Sequence, residues 1–158
     1  LKKIYFIRHA KAKKEAKTDF LRNLNDRGLK NAKELGIKLK ELGILPDIIF
    51  SSSAVRAIST ANIIADKLGA KVKQKDELYD ISTDELLRFL KAINSEFNTV
   101  FIVGHNPTML EISEFLSDSS IAKMPTCAIF GIKFDILKFK DLKEHSGEVI
   151  LYDYPIKE

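Results

Sequence analysis

The chain has 158 residues, with 26 lysines and arginines against 22 aspartates and glutamates and a formal net charge of +4. That length fits a single domain spanning 1–158 with one core, and an apolar share of 45% excludes a disordered polyelectrolyte. The charges are mixed rather than blocked, so the surplus favours anions without the footprint of a nucleic-acid binder. Cys127 is the only cysteine. It forms no internal disulfide, supports no cysteine-based zinc site and reads as a small core residue. No metal or cofactor is expected. No apolar run is long enough to cross a membrane. The first residues read as a strand rather than a leader, so the expected location is the cytoplasm.

In chain order, Ile4-Tyr5-Phe6-Ile7 is a strand apolar on both faces. Leu29, Ala32, Leu35, Leu39 and Leu42 share one helical face, with Asn25 or Asp26 as N-cap and Gly43 as the stop. Ile48-Ile49-Phe50 is a second short buried strand. Val55 to Leu68 is helical and ends at Gly69, and Val72 begins a minor strand. Ser82 or Thr83 caps a helix from Asp84 to Ile93, with acidic residues in its first turn. Thr99 to Val103 is the third strong strand, and Thr108 to Leu116 is a helix after Pro107. Ala128 to Phe134 and Val149 to Tyr154 are later strands, separated by the polar stretch Lys138 to Gly147. This alternation predicts an α/β fold, a three-layer sandwich with a mainly parallel central sheet flanked by helices.

Ligands of such sheets bind beyond the carboxyl ends of the strands. The first strong strand is followed by Arg8 and His9, the second by SSSAVRAISTA with Arg56 in the first turn of a helix, and the third by GHNP with His105. Taken singly, these are a strand meeting water, a surface helix residue and a turn. Together they place two arginines and two histidines on one sheet edge. Arginine binds phosphate oxygens in bidentate fashion, helix N-termini add backbone donors, and a neutral imidazole attacks phosphorus. A second histidine, if protonated, donates to the phosphoryl oxygens. His145, in KEHSGE, stands in a polar stretch without a partner. The lysine-rich segment Lys11 to Lys17 is a solvated loop, or one that steers an acidic partner towards Arg8.

The blocks IRHA, SSSAVRAISTA and VGHNP resemble the three signatures of the histidine phosphatase superfamily, with its phosphoglycerate mutase-like fold. In TDFLRNLNDRGLKNA, the residues Asp19, Arg22, Leu24 and Gly28 match the segment that comes after the first block in the short SixA-type branch. Asn25 stands there in place of Thr. Ser53 replaces the usual Pro of the second block, and Ser59 stands where Gln is common. The resemblance runs to about Leu116.

It implies that Arg8, Arg56 and His105 hold a phosphoryl group, with Arg22 and Asn106 as further contacts, while His9 is the nucleophile of a metal-independent phosphatase. Glu77 is the implied general acid, with Asp80 as its alternative. The short chain carries no insertions to roof the pocket, which favours a phosphohistidine-bearing protein as substrate and inorganic phosphate as product. The alternatives are a small phosphomonoester (a metabolite or nucleotide) as substrate, or a phosphate-binding domain without turnover.

Overall fold

Among the described residues, six strands and four α-helices form in the order the periodicity predicts. The computed structural model describes residues 1–156. The strands are β1 (Lys2–Arg8), β2 (Ile48–Ser52), β3 (Val72–Lys75), β4 (Thr99–Gly104), β5 (Ile129–Phe134) and β6 (Glu148–Asp153). The helices are α1 (Asp26–Glu41), α2 (Val55–Leu68), α3 (Thr83–Lys91) and α4 (Thr108–Leu116). All six strands lie in one sheet, ordered β3-β2-β4-β1-β5-β6. The pairs β2–β3, β2–β4 and β1–β4 are parallel, while β1–β5 and β5–β6 are antiparallel. The mainly parallel sheet is therefore finished by two antiparallel strands on one side.

Period-two alternation sorts the strand residues between two cores. Ile4, Phe6, Val100 and Ile102 pack with Leu86 and Leu90 of α3 and Ile112 and Leu116 of α4. Tyr5, Ile7, Phe101 and Val103 pack with Leu35 and Leu39 of α1 and Ile64 of α2. These clusters are the two interlayer cores of the three-layer sandwich. No helix among the described residues is long and apolar enough to cross a membrane.

The helix signals act through identifiable caps. Asn25 accepts from the Gly28 N–H to start α1, and Gly43 leaves it at φ +72°. Gly69 ends α2 in the left-handed region, at φ +66°. Ser82 and Glu85 form a reciprocal capping box, so α3 begins at Thr83, and it stops at Lys91 rather than Ile93. One expectation for α1 fails. Leu29 and Leu42 are exposed, and the buried face is Gly28, Ala32, Leu35, Gly36 and Leu39. The helix is rotated because Gly28 must face Lys11, whose carbonyl oxygen would lie 2.0 Å from a Cβ at position 28. His145 also departs from expectation: its Nδ1 lies 2.8 Å from the Ser117 carbonyl, and its backbone N–H donates to Phe115.

Lys2 is an unexpected member of the interior. It is buried to 2% exposure, and its Nζ donates to the carbonyls of Ser95 and Phe97 and to Asn98 Oδ1, at 2.6, 2.7 and 3.0 Å. Three acceptors around one ammonium are what burial of a lysine requires. They pin the start of β1 to the turn before β4. The parallel register then fixes the other ends of these strands.

Candidate active site

Register brings the site together. Arg8 pairs with Gly104 and Ser51 with Val103, so Ser52, the last residue of β2, and His9 and His105, the residues just past β1 and β4, meet at one edge of the sheet. The backbone of the Arg8–His9 pair is held from three sides. Arg8 N–H donates to Ala128 O and His9 N–H to Gly104 O, while Cys127 N–H reaches both the Arg8 and His9 carbonyls. Cys127 takes φ +61° to do so, and its buried thiol is pushed up to about 12 by desolvation. Thr60 of α2 accepts from the Ala10 N–H at 3.0 Å and donates to the Arg56 carbonyl at 2.8 Å, coupling the first block to the second.

The side chains converge on one cavity of about 350 Å³. Its lining includes Arg8, His9, Arg22, Arg56, His105 and Asn106, with Lys11, Lys14 and Thr126 also at its wall. The His9 and His105 rings lie 5.2 Å apart between centroids. His9 Nδ1 is 2.7 Å from the Ala10 carbonyl. A carbonyl only accepts, so the ring hydrogen is on Nδ1 and Nε2 keeps its lone pair. Burial, ahead of the neighbouring cations, lowers His9 to about 3 and His105 to about 4. Both rings are therefore neutral at physiological pH. Arg8 is held below its usual value by burial first and by Arg56 second. Its Nη1 donates to the Met124 carbonyl, which also accepts from Asn106 Nδ2. Among the described residues, Arg8 Nε, Arg56 Nε, His105 Nδ1 and Asn106 Oδ1 are buried without a hydrogen-bond partner. Two of these four atoms, the arginine Nε groups, are donors by nature, which suits an anion.

The carboxylate nearest the arginines is Asp19, at the start of a 3-10 turn (Asp19–Leu21). Arg56 donates to its carbonyl and to Oδ2 at 2.8 and 3.0 Å, Arg22 to Oδ1 at 3.1 Å, and the Tyr79 hydroxyl to Oδ2 at 2.7 Å. The Tyr79 hydrogen bond, followed by those of Arg22 and Arg56, holds the Asp19 carboxyl well below the usual range. Tyr79 also packs edge-on against His105 at 5.6 Å. Arg22 is anchored as well by Nε to the Lys13 carbonyl. Ser53 donates to Asp76, fastening the second 3-10 turn (Asp76–Leu78) beside the site, so the residue that replaces proline has a structural task.

Glu77 and Asp80, the sequence candidates for a general acid, are exposed and absent from the cavity lining. The sequence shows Asp19 only as a motif position and carries no signal for Tyr79 or Ser52. Ser52 Oγ lies 2.8 Å from His105 Nε2. Among the described residues no cluster of three or more His, Cys, Asp or Glu could hold a metal ion.

This geometry defines a class: an α/β protein with a cationic pocket and paired neutral histidines at the carboxyl edge of its sheet. The chain belongs to the histidine phosphatase superfamily (branch 1), whose family model matches residues 4–98. It is similar to the protein named phosphohistidine phosphatase SixA from Agrobacterium tumefaciens, with a TM-score of 0.83, 26% identity and 98% of each chain covered. The protein histidine phosphatase SixA complexed with tungstate shares the fold, with a TM-score of 0.82, 19% identity and 95% of each chain covered. Among curated proteins, it is 41% identical over 68 residues to the 2,3-bisphosphoglycerate-dependent phosphoglycerate mutase of Actinobacillus pleuropneumoniae. That match covers 40% of this chain and 30% of the mutase, so it spans under a third of the relative's length.

Proposed function

We propose that the protein is a phosphatase that hydrolyses its substrate through a phosphohistidine intermediate on His9, and that the substrate is phosphohistidine carried by a phosphotransfer protein. The observation that carries the reading is the pairing of a free His9 Nε2 lone pair with Arg8, Arg56 and His105 around one cavity. In the first step the Nε2 lone pair forms a bond to phosphorus as the bond to the leaving group breaks, and the leaving group takes that electron pair. Arg8, Arg56 and the His105 N–H balance charge on the equatorial oxygens. Water then attacks phosphorus on the side away from His9; the N–P bond breaks, its electron pair returns to Nε2, and the water's proton leaves with the inorganic phosphate, restoring neutral His9.

Two features support a protein substrate. The cavity wall carries Lys11 and Lys14, with Lys13 and Lys17 also exposed in the same segment. None of the four is in an ion pair among those found in the described residues. These cations suit an acidic protein surface around the phosphorylated residue. Among the described residues no carboxyl group poised as an acid borders the cavity: Asp19 is held ionised, and Glu77 and Asp80 are exposed and outside its lining. An imidazole leaves from phosphorus more readily than an alkoxide, so phosphohistidine tolerates that lack.

The test is acid-labile labelling by a phosphoryl donor together with turnover of a phosphohistidine protein against a panel of small phosphomonoesters. The reading expects a label on the wild type, none on His9→Ala, and preference for the protein. Equal labelling of His9→Ala removes the nucleophile assignment. Preference for the panel assigns a small-molecule phosphatase instead, and binding of phosphate without label or turnover assigns a phosphate-binding domain.

A further inference from the structure

Ser52 closes β2 and is buried to 0% exposure. Its hydroxyl has one hydrogen to give and two lone pairs with which to accept. The Ala54 N–H takes one acceptor site at 3.2 Å, and His105 Nε2 lies 2.8 Å away. No other acceptor is in hydrogen-bond reach of this hydroxyl among the described residues. If Nε2–H donated to Ser52, the hydroxyl hydrogen would be buried with nothing to receive it, a rare arrangement in folded proteins. If the hydroxyl donates to the Nε2 lone pair, both groups are satisfied.

We infer that Ser52 is a positioning residue: it gives its hydrogen to His105 Nε2 and fixes His105 in the Nδ1–H tautomer. The other ring nitrogen is then a donor by necessity, on a neutral ring that lines the cavity. His105 Nδ1 is the buried ring atom left without a partner. The sequence expectation, that the second histidine donates only when protonated, is thereby replaced by donation from a neutral ring. His9 has the same tautomer for a different reason, its bond to the Ala10 carbonyl. One backbone acceptor and one serine donor thus give two chemically equal rings opposite tasks: His9 offers Nε2 as a lone pair, and His105 offers Nδ1 as an N–H.

The consequence for turnover rests on the phosphatase reading, but the tautomer does not, and the experiment separates them. Long-range 1H–15N correlation of the three histidines is recorded on the full chain at neutral pH, with His9→Ala and His145→Gln used for assignment. The expected wild-type spectrum shows His105 with a protonated Nδ1 and a bare Nε2. Ser52→Ala is expected to move His105 towards the Nε2–H form and to lower kcat/KM about fivefold to tenfold, the worth of one oriented hydrogen bond. Ser52→Thr, which keeps the hydroxyl, restores both. A wild-type His105 in the Nε2–H form overturns the inference even if no variant folds. So does Ser52→Ala with an unchanged His105 spectrum. If the spectra behave as expected and neither chain turns over a phosphorylated substrate, the phosphatase reading falls and the tautomer assignment stands.

Discussion

Gly28→Ala is a demanding test of how the lysine segment is held beside the site. An alanine Cβ at this position would lie 2.0 Å from the Lys11 carbonyl oxygen and 3.0 Å from Lys11 C and N. Real contacts of that kind require the two backbones to separate by about 1 Å. Both partners are backbone, so no rotamer relieves the clash. Forced separation costs about 1–3 kcal/mol. The same displacement weakens the bond from Asn25 N–H to Lys11 O, now 3.0 Å, worth about 1 kcal/mol. Helix propensity runs the other way and favours alanine by about 1 kcal/mol. The clash wins, with a net loss of about 2 kcal/mol, or a fall in Tm of about 4–8 °C for a chain of this size. Gly36→Ala is the control. Its Cβ would meet Lys67 Cγ and Cβ at 2.8 and 2.9 Å, a milder overlap than the one at Gly28, so the expected loss is smaller and the propensity gain offsets part of it. Calorimetry on both variants decides. Lys11 borders the cavity, so KM for a phosphorylated substrate should rise in Gly28→Ala as well. A Gly28→Ala protein that melts at or above the wild type, or no lower than Gly36→Ala, refutes the account of why this position is glycine.

The site itself sets three further outcomes. Burial depresses His9 to about 3 and His105 to about 4. Their contribution to stability is therefore full above the unfolded value of about 6.5 and is lost as pH falls from there towards those two values. Their C2–H resonances should stay at neutral positions from pH 8 to about pH 5, and a midpoint near 6.5 for either contradicts this. Glu77→Gln should change phosphohistidine turnover by no more than about twofold, because Glu77 is exposed outside the cavity lining; a loss of about a hundredfold would make it the proton donor. Reversing Lys11 and Lys14 to Glu should raise KM for a phosphohistidine protein about tenfold at low ionic strength, with the gap closing near 0.5 M salt and kcat unchanged. A salt-independent defect would show that these lysines act on folding rather than on the partner.

The sheet, the helices and the four strand-end residues were legible because each depends on local signals: period, caps and the residues just past an apolar run. Val55–Leu68 and Thr108–Leu116 form with the bounds the pattern predicts. What stayed hidden depends on pairings across the fold. The Ser51-Ser52-Ser53 run shows why. Ser51 Oγ bonds the Ser52 carbonyl, Ser52 bonds His105, and Ser53 bonds Asp76. Three identical letters have three unrelated partners, and only the parallel register of β2 on β4 brings the middle one to the histidine. Asp19 lies 37 residues from Arg56 and 60 from Tyr79, so no periodicity could connect them. Leu29 misled because hydrophobicity alone set the phase of α1, whereas the close approach at Gly28 turns the helix.

The charge arrangement explains why the histidines must be neutral. Arg8 and Arg56 stand close enough for each to disfavour further positive charge nearby, and both contribute to lowering the two histidines, after burial. A protonated His9 would lose its Nε2 lone pair and with it any nucleophilic role. A protonated His105 would gain a donor where Ser52 already gives one, setting an N–H against the serine O–H. The arginines thus supply the fixed positive charge, and the rings supply one lone pair and one N–H without adding to it. The same logic places Asp19. Held ionised by Tyr79, Arg22 and Arg56, it balances the cations from the rim while the two histidines stay uncharged.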